Sequence, residues 1–334
     1  MIRTTTLLFF SSLFFINSIF SMNYEHTRRI APDVLTNATS MAISPKGDLV
    51  GIGGKASDKA LVKWWDVKSG KLVGYVNTSR LGYLNYANSV AFNPDSTIIA
   101  ASGCESTGLW DTQTGQWLQR IAMDSDSHSI AFSPENKLLI GMGMQLATYA
   151  QEESGEFAEK DSKKQFSYIR GHVRVGKKYI MIPLIREGLQ VNERRVPGKT
   201  QGSIIRKMPE VKLHDMGPNE EYMVSLTGES RISIHEIEKG GACVQQLRCP
   251  YPDEVFFAGE NEKEVSSLAL SRDETKVAAV RASTIYLWRD WMSRDSLQEL
   301  SVEGSGVREV AFGSDGLLVA LTKDGTVDMW REKK

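Results

Sequence analysis

Ser89-Val90-Ala91-Phe92-Asn93-Pro94 opens a stretch that closes on Trp110-Asp111. It reads as a small residue, an apolar-Ala-apolar strand, a Pro turn, and a second apolar strand ending on an aromatic. The same opening recurs as Ser40-Met41-Ala42-Ile43-Ser44-Pro45 and Ser129-Ile130-Ala131-Phe132-Ser133-Pro134. It returns as Ser267-Leu268-Ala269-Leu270-Ser271-Arg272 and Glu309-Val310-Ala311-Phe312-Gly313-Ser314, while Met216-Gly217-Pro218-Asn219 keeps the turn alone.

The strands that follow end on Trp65, Trp110, Tyr149, His235, Trp288 and Trp330, at gaps of 45, 39, 86, 53 and 42 residues. The gap of 86 holds two periods of 43, which predicts a degraded unit ending near residue 192. There Tyr179-Ile180-Met181-Ile182 and Leu189-Gln190-Val191 read as strands about a turn at Arg186-Glu187-Gly188. Each unit is too small to bury its own apolar faces, and a period of this length with several short strands is that of a propeller blade. The predicted fold is all-β: a seven-bladed β-propeller of four-stranded antiparallel blades over residues 38–334.

Trp65-Asp66, Trp110-Asp111 and the ending Asp324-Gly325-Thr326-Val327-Asp328-Met329-Trp330 resemble the WD-repeat family, and Trp288 keeps its strand-end aromatic. The resemblance is strong in the first three and last two units and weak from about 150 to 210. It implies a non-enzymatic scaffold that binds a protein. In that family a turn Asp, a Gly-His pair and the strand-end Trp share a buried hydrogen-bond network. Here the turn position holds Lys59, Cys104, Gly143, Glu229 and Ala282 in five units, only Asp324 conforms, and Gly171-His172 is the one Gly-His pair. Most blades are therefore expected to rely on apolar packing between sheets. Only four residues follow Trp330, so the resemblance implies that the N-terminal segment, residues 22–37, supplies the last outer strand, from about Thr27 to Leu35.

Across 334 residues the formal charge is −1, which gives no whole-protein field toward nucleic acid or anionic lipid. The charge is nevertheless uneven. Residues 160–207, which coincide with the degraded fourth blade, carry thirteen basic and three acidic side chains, a net of +10 against −11 elsewhere. One reading is a solvated charged face. The other is a surface for an anionic protein partner, built from Arg170, Arg174, Lys177, Lys178, Arg194 and Arg195. The stretch has few aromatics on which bases would stack, which argues against nucleic acid.

Met1-Ile2-Arg3, the largely apolar run Leu7 to Phe20 and the small Ser21 have the order of a secretory signal, so residues 1–21 are expected to be cleaved. The apolar run is short for a membrane span, and no stable insertion is expected after cleavage. The expected location is secreted or periplasmic. Cys104, Cys243 and Cys249 are not a disulfide framework. The strand-like stretch between Cys243 and Cys249 holds them roughly 20 Å apart, beyond disulfide reach.

Motifs for chemistry are weak. Gly51-Ile52-Gly53-Gly54-Lys55-Ala56 has dinucleotide-fingerprint spacing but precedes a strand where that motif needs a helix. Gly198-Lys199-Thr200 lacks the first glycine of a phosphate loop, since Glu193 occupies that place. The five histidines have no zinc-ligand spacing. No catalytic, cofactor-binding or metal-binding residue is assigned. The alternative is an extracytoplasmic hydrolase or lactonase with carboxylates or a metal at the channel mouth; a third is a structural envelope protein. Tyr83, Tyr86 and Trp291 are minor candidates for partner contact.

Overall fold

The computed structural model describes residues 23–30, 37–56, 59–77, 87–165, 167–169, 171–194, 204–228, 230–250, 264–293 and 296–333. The expected signal, Arg170, Arg195, Tyr83 and Tyr86 lie outside the described residues. Among the described residues no helix is long and apolar enough to cross a membrane.

Alternating apolar segments joined by tight turns form seven four-stranded antiparallel sheets. Blade 7 takes its outer strand from the N-terminus, β1 (Tyr24–Ile30). Blade 1 is β2 (Asn37–Ile43), β3 (Leu49–Ala56), β4 (Lys59–Asp66) and β5 (Leu72–Asn77). Blade 2 is β6 (Ser89–Phe92), β7 (Ile98–Ser102), β8 (Ser106–Asp111) and β9 (Trp117–Ala122). Blade 3 is β10 (Ser127–Phe132), β11 (Leu138–Met142), β12 (Gln145–Gln151) and β13 (Phe157–Lys164). Blade 4 is β14 (Arg174–Val175), β15 (Tyr179–Leu184), β16 (Gly188–Glu193) and β17 (Ile204–Met208). Blade 5 is β18 (Val211–Met216), β19 (Tyr222–Thr227), β20 (Arg231–Glu236) and β21 (Ala242–Arg248). Blade 6 is β22 (Val265–Leu270), β23 (Val277–Arg281), β24 (Thr284–Trp288) and β25 (Leu297–Ser301). Blade 7 is completed by β26 (Val307–Phe312), β27 (Leu317–Thr322) and β28 (Val327–Glu332).

The segment expected as blade 4, residues 160–207, divides between two blades. Lys160, Lys163 and Lys164 belong to the outer strand of blade 3, and blade 4 proper is built on Arg174–Met208. The period fails there because β14 has only two residues and Arg174, not Ala, stands where the repeat has its alanine.

Ring closure comes slightly earlier in the chain than Thr27–Leu35, with Tyr24 facing Glu332 and Ile30 facing Val327. The Asp328 carboxylate, 2% exposed, fixes this register. It lies 2.8 Å from His26 Nε2 and accepts from Arg29 Nε and Nη2 at 3.0 and 2.9 Å. A buried carboxylate is tolerated only with such partners. Arg28 reaches on to the Lys68 and Ser69 carbonyls of blade 1.

Seven apolar clusters fill the seven gaps between neighbouring sheets. The two that flank blade 4 hold six buried residues each, against twelve or thirteen in four of the others, so blade 4 has the thinnest core. The repeat aromatics Trp65, Trp110, Tyr149, Trp288 and Trp330 are all buried at strand ends. Asp66 and Asp111, their neighbours, fold back to accept from Ser69 N–H and Thr114 N–H in their own turns. Those donors hold both carboxyls below the usual carboxylate range. Asp324 does the same, accepting from Thr326 N–H. The two glycines of Gly51-Ile52-Gly53 lie in β3 with no helix after them, Gly51 against Phe92 and Gly53 against Val90 of the next blade.

Candidate functional sites at the channel and the turn face

The first strands of successive blades pack on one another around the axis, and β26 returns to β2. In five of them the pairing register slips by one just before the repeat's first residue, which aligns the blades. The first position is then Ser40, Ser89, Ser129, His172, Leu213, Ser267 and Glu309. The third is Ala42, Ala91, Ala131, Arg174, Asp215, Ala269 and Ala311.

The first-position serines are stitches between sheets. Ser40 Oγ accepts from Val90 N–H at 3.3 Å, Ser89 Oγ from Ile130 N–H at 3.3 Å, Ser129 Oγ from Val173 N–H at 2.7 Å and Ser267 Oγ from Val310 N–H at 3.1 Å. Each satisfies a buried N–H of the next blade. Glu309 does the same at ring closure, Oε2 accepting from Met41 N–H at 2.8 Å. Apolar packing is thus supplemented by a ring of hydrogen bonds that the turn-Asp comparison did not reveal.

Blades 4 and 5 depart from this scheme. Arg174 Nε donates to Asp215 Oδ1 at 2.7 Å, while Asp215 Oδ2 accepts from Leu270 N–H of blade 6 at 2.9 Å. From blade 4, His172 Nε2 lies 3.6 Å from Glu309 Oε1 of blade 7, so this group spans the channel. It lines a cavity of about 390 Å³ together with Phe92, Phe132, Phe312, Pro134 and Pro218. Burial opposes the Arg174 charge, but Asp215 and then Glu309 outweigh it and raise its pKa. Burial lowers His172, against the pull of Glu309. Burial, then the Arg174 charge, depresses His214 to about 3, and its Nε2 is buried with no hydrogen-bond partner. Asp215 and Glu309 each accept from a backbone N–H of the next blade and face a blade 4 side chain. Among the described residues no group of three or more His, Cys, Asp or Glu is placed to hold a metal.

On the face formed by the first turn of each blade, a second set of contacts links neighbours. Ser96, Asn136, Glu220 and Glu274 occupy one turn position with φ between 57° and 63°. Each reaches the preceding blade. Glu220 accepts from the N–H groups of Lys177, Lys178 and Tyr179, the latter two at 2.8 Å. Glu274 accepts from Asn219 and Tyr222 N–H at 2.8 and 2.9 Å. Gly176 and Gly217 are required by this arrangement, because a Cβ on either would strike the inserted carboxylate.

Three comparisons bear on this geometry. No family model matches the chain. MST50-interacting protein 11 of Pyricularia oryzae is 33% identical over 75 residues, 22% of each chain. The small ribosomal subunit protein RACK1y of Oryza sativa subsp. japonica is 35% identical over 74 residues, 22% of this chain and 21% of that one. The matches thus span about a fifth of these curated relatives. The solved β-propeller domain of Cps50 (Swd1) from Myceliophteria thermophila matches 93% of this chain and 100% of its own, with a TM-score of 0.68 at 14% identity. The chain has the fold of a WD-repeat β-propeller.

The basic residues named from sequence part company in this propeller. Lys177, Lys178 and Arg194 meet on the turn face of blade 4, where Arg194 N–H donates to the Lys178 carbonyl at 2.6 Å. Arg194 is only 17% exposed and pairs with Glu135 of blade 3, and Lys178 pairs with Glu238 of blade 5 at 2.8 Å. Arg174 is elsewhere, in the channel. Much of the basic run therefore ties the thin blade to its neighbours. Trp291 is a correction: it is 4% exposed, with Nε1 donating to the Glu274 carbonyl at 2.6 Å, and it packs edge-on to Tyr222. It serves the core. His235 is also structural, bonded to Ser225 Oγ at 2.8 Å. None of the three cysteines forms a disulfide. Alignment of Leu213-His214-Asp215-Met216 on the repeat would have exposed Asp215 and His214, which replace Ala and an apolar residue.

Proposed function

We propose that this chain is an exported, non-enzymatic scaffold that holds an anionic protein partner on the turn face of blade 4. One observation carries the non-enzymatic reading. Both channel carboxylates, Asp215 and Glu309, are used to join blades, which leaves neither of them free to act as a general base or metal ligand. The partner reading rests on the closed, rigid disc and on Lys177 and Lys178, exposed beside Arg194 on one face; Arg170 and Arg195 extend the same basic segment. A relative whose name records interaction with another protein supports binding as the role. Export rests on the sequence of residues 1–21.

The test is capture of partners by the mature chain from its native compartment, with cross-linking and mass spectrometry. Lys177→Glu with Lys178→Glu is expected to weaken capture about tenfold at low salt, chiefly through slower association. Equal capture by the variant removes this face from the interaction. N-terminal sequencing of the exported chain is expected to begin at Met22; retention of residues 1–21 in the mature chain removes the cleavage.

A further inference from the structure

An apolar collar rings the turn end of the channel, with charge set beneath it. The fourth residue of the first strand is apolar in all seven blades, phenylalanine in three (Phe92, Phe132 and Phe312), and all seven line the cavity. One residue deeper, roughly 3 Å along the strand, Ala42, Ala91, Ala131 and Ala311 leave room, and Arg174 and Asp215 carry the charge. The cavity opens on the turn face, past the exposed Pro134, Pro218 and Arg272.

The charged groups are not presented equally to that space. Asp215 and Glu309 are each 13% exposed, and a backbone N–H of the next blade holds one oxygen of each. Arg174 is 34% and His172 38% exposed. Asp215 occupies only Nε of the guanidinium. Among the described residues Nη1 and Nη2 donate to no acceptor, and neither is sealed from the cavity. An edge of two parallel N–H groups matches a planar carboxylate.

We propose that the channel binds a small monocarboxylate with an apolar body, its carboxylate on the Nη1–Nη2 edge of Arg174 and its hydrocarbon or aromatic part in the collar. The site goes beyond the scaffold reading and rests on neither the basic face nor export. A cavity of about 390 Å³ suits a ligand of about ten to twelve non-hydrogen atoms. A cation is disfavoured, because both acids are already engaged while Arg174 and Arg272 face the space. A free acid fits better than the C-terminus of a protein. A chain would carry its amides past a collar that is apolar in every blade and offers them no side-chain partner.

Isothermal titration calorimetry of the full mature chain with phenylbutyrate tests this. One site per chain with a Kd of about 10–100 µM is expected. Phenylbutanol and phenylbutylamine lack the carboxylate and acetate lacks the apolar body, so each should bind at least tenfold more weakly. Two variants place the site. Arg174→Ala with Asp215→Ala removes the guanidinium edge without stranding a charge, and Ala131→Leu fills the cavity while every charged group stays. Each should weaken phenylbutyrate binding at least tenfold, with a cooperative thermal transition showing that the variant folds. Absence of binding up to about 1 mM, equal affinity for the acid and the alcohol, or binding indifferent to a folded variant overturns the proposal. Tighter binding of the peptide Ala-Ala-Phe with a free carboxylate than of phenylbutyrate overturns the free acid and gives the site to a protein C-terminus.

Discussion

Between blades 1, 2, 3 and 4, serines hand a single hydroxyl to the next sheet, whether the apolar cluster beside it is large, as between blades 2 and 3, or small, as between blades 3 and 4. Between blades 4, 5 and 6 no serine stitch is made, and an ion pair with its backbone partner takes over, beside a small cluster between blades 4 and 5 and a large one between blades 5 and 6. A hydroxyl-to-amide bond contributes about 1 kcal/mol whatever the pH. A charged link in a half-open channel has little net worth of its own, but removing one member leaves the other charge stranded and costs more. The two kinds of junction should therefore fail under different insults.

The largest separation is expected on removing one charge. Asp215→Ala leaves Arg174 without its counter-ion and Leu270 N–H without its acceptor, at a cost of about 3 kcal/mol. Ser129→Ala, its counterpart at the stitched junction, should cost about 1 kcal/mol. Urea midpoints of the two variants at neutral pH decide the matter, and equal losses would erase the distinction. Between these falls Gly217→Ala. It pushes a methyl into the Glu274 carboxylate and should cost about 2 kcal/mol, whereas Gly115→Ala, at a positive φ but with nothing nearby, suffers only its backbone strain.

Acid should loosen the charged junction first. His214 has its folded pKa depressed to about 3 by burial and by the Arg174 charge, with His172 adjoining. The unfolded chain then binds the proton more readily, so this histidine contributes fully above about pH 6.5 and progressively less as pH falls toward 3. One such group gives a slope of up to about 1.4 kcal/mol per pH unit. His172 shifts in the same direction; Asp215 and Glu309 are the acids facing the pair, and Arg174 the fixed cation. The position of His214 is apolar in every other blade, as Met41, Val90, Ile130, Val173, Leu268 and Val310. His214→Leu should therefore flatten the decline in Tm between pH 6.5 and 4, and a slope identical to that of the unmodified chain would count against the histidine.

The regular blades were legible in sequence for the reason they are stable: one small residue, one alanine and one aromatic recur because each fills the same space in every sheet. Even the degraded unit was legible from its spacing, and its strands fall at Tyr179–Leu184 and Gly188–Glu193. The channel was not. Arg174 and Asp215 are 41 residues apart and become neighbours only once the bulge-defined register places both at the alanine position. The basic run misled for a related reason. A sum of charge along the chain cannot see that Glu135, Glu220 and Glu238 arrive from the blades on either side to meet it.

The finest test restores the repeat in place of breaking it. Arg174→Ala with Asp215→Ala gives the third position an unbroken ring of alanines. Each single substitution strands a partner, but the pair together leaves no unmatched charge, and channel water can reach Leu270 N–H in the space vacated. The double variant should therefore lose no more than about 1 kcal/mol, with a coupling energy of about 2–3 kcal/mol between the two sites. If the single losses simply add, the ion pair is not what joins blades 4 and 5. In that case the small methionine-rich cluster around Met181, Met208 and Met223 carries the junction alone.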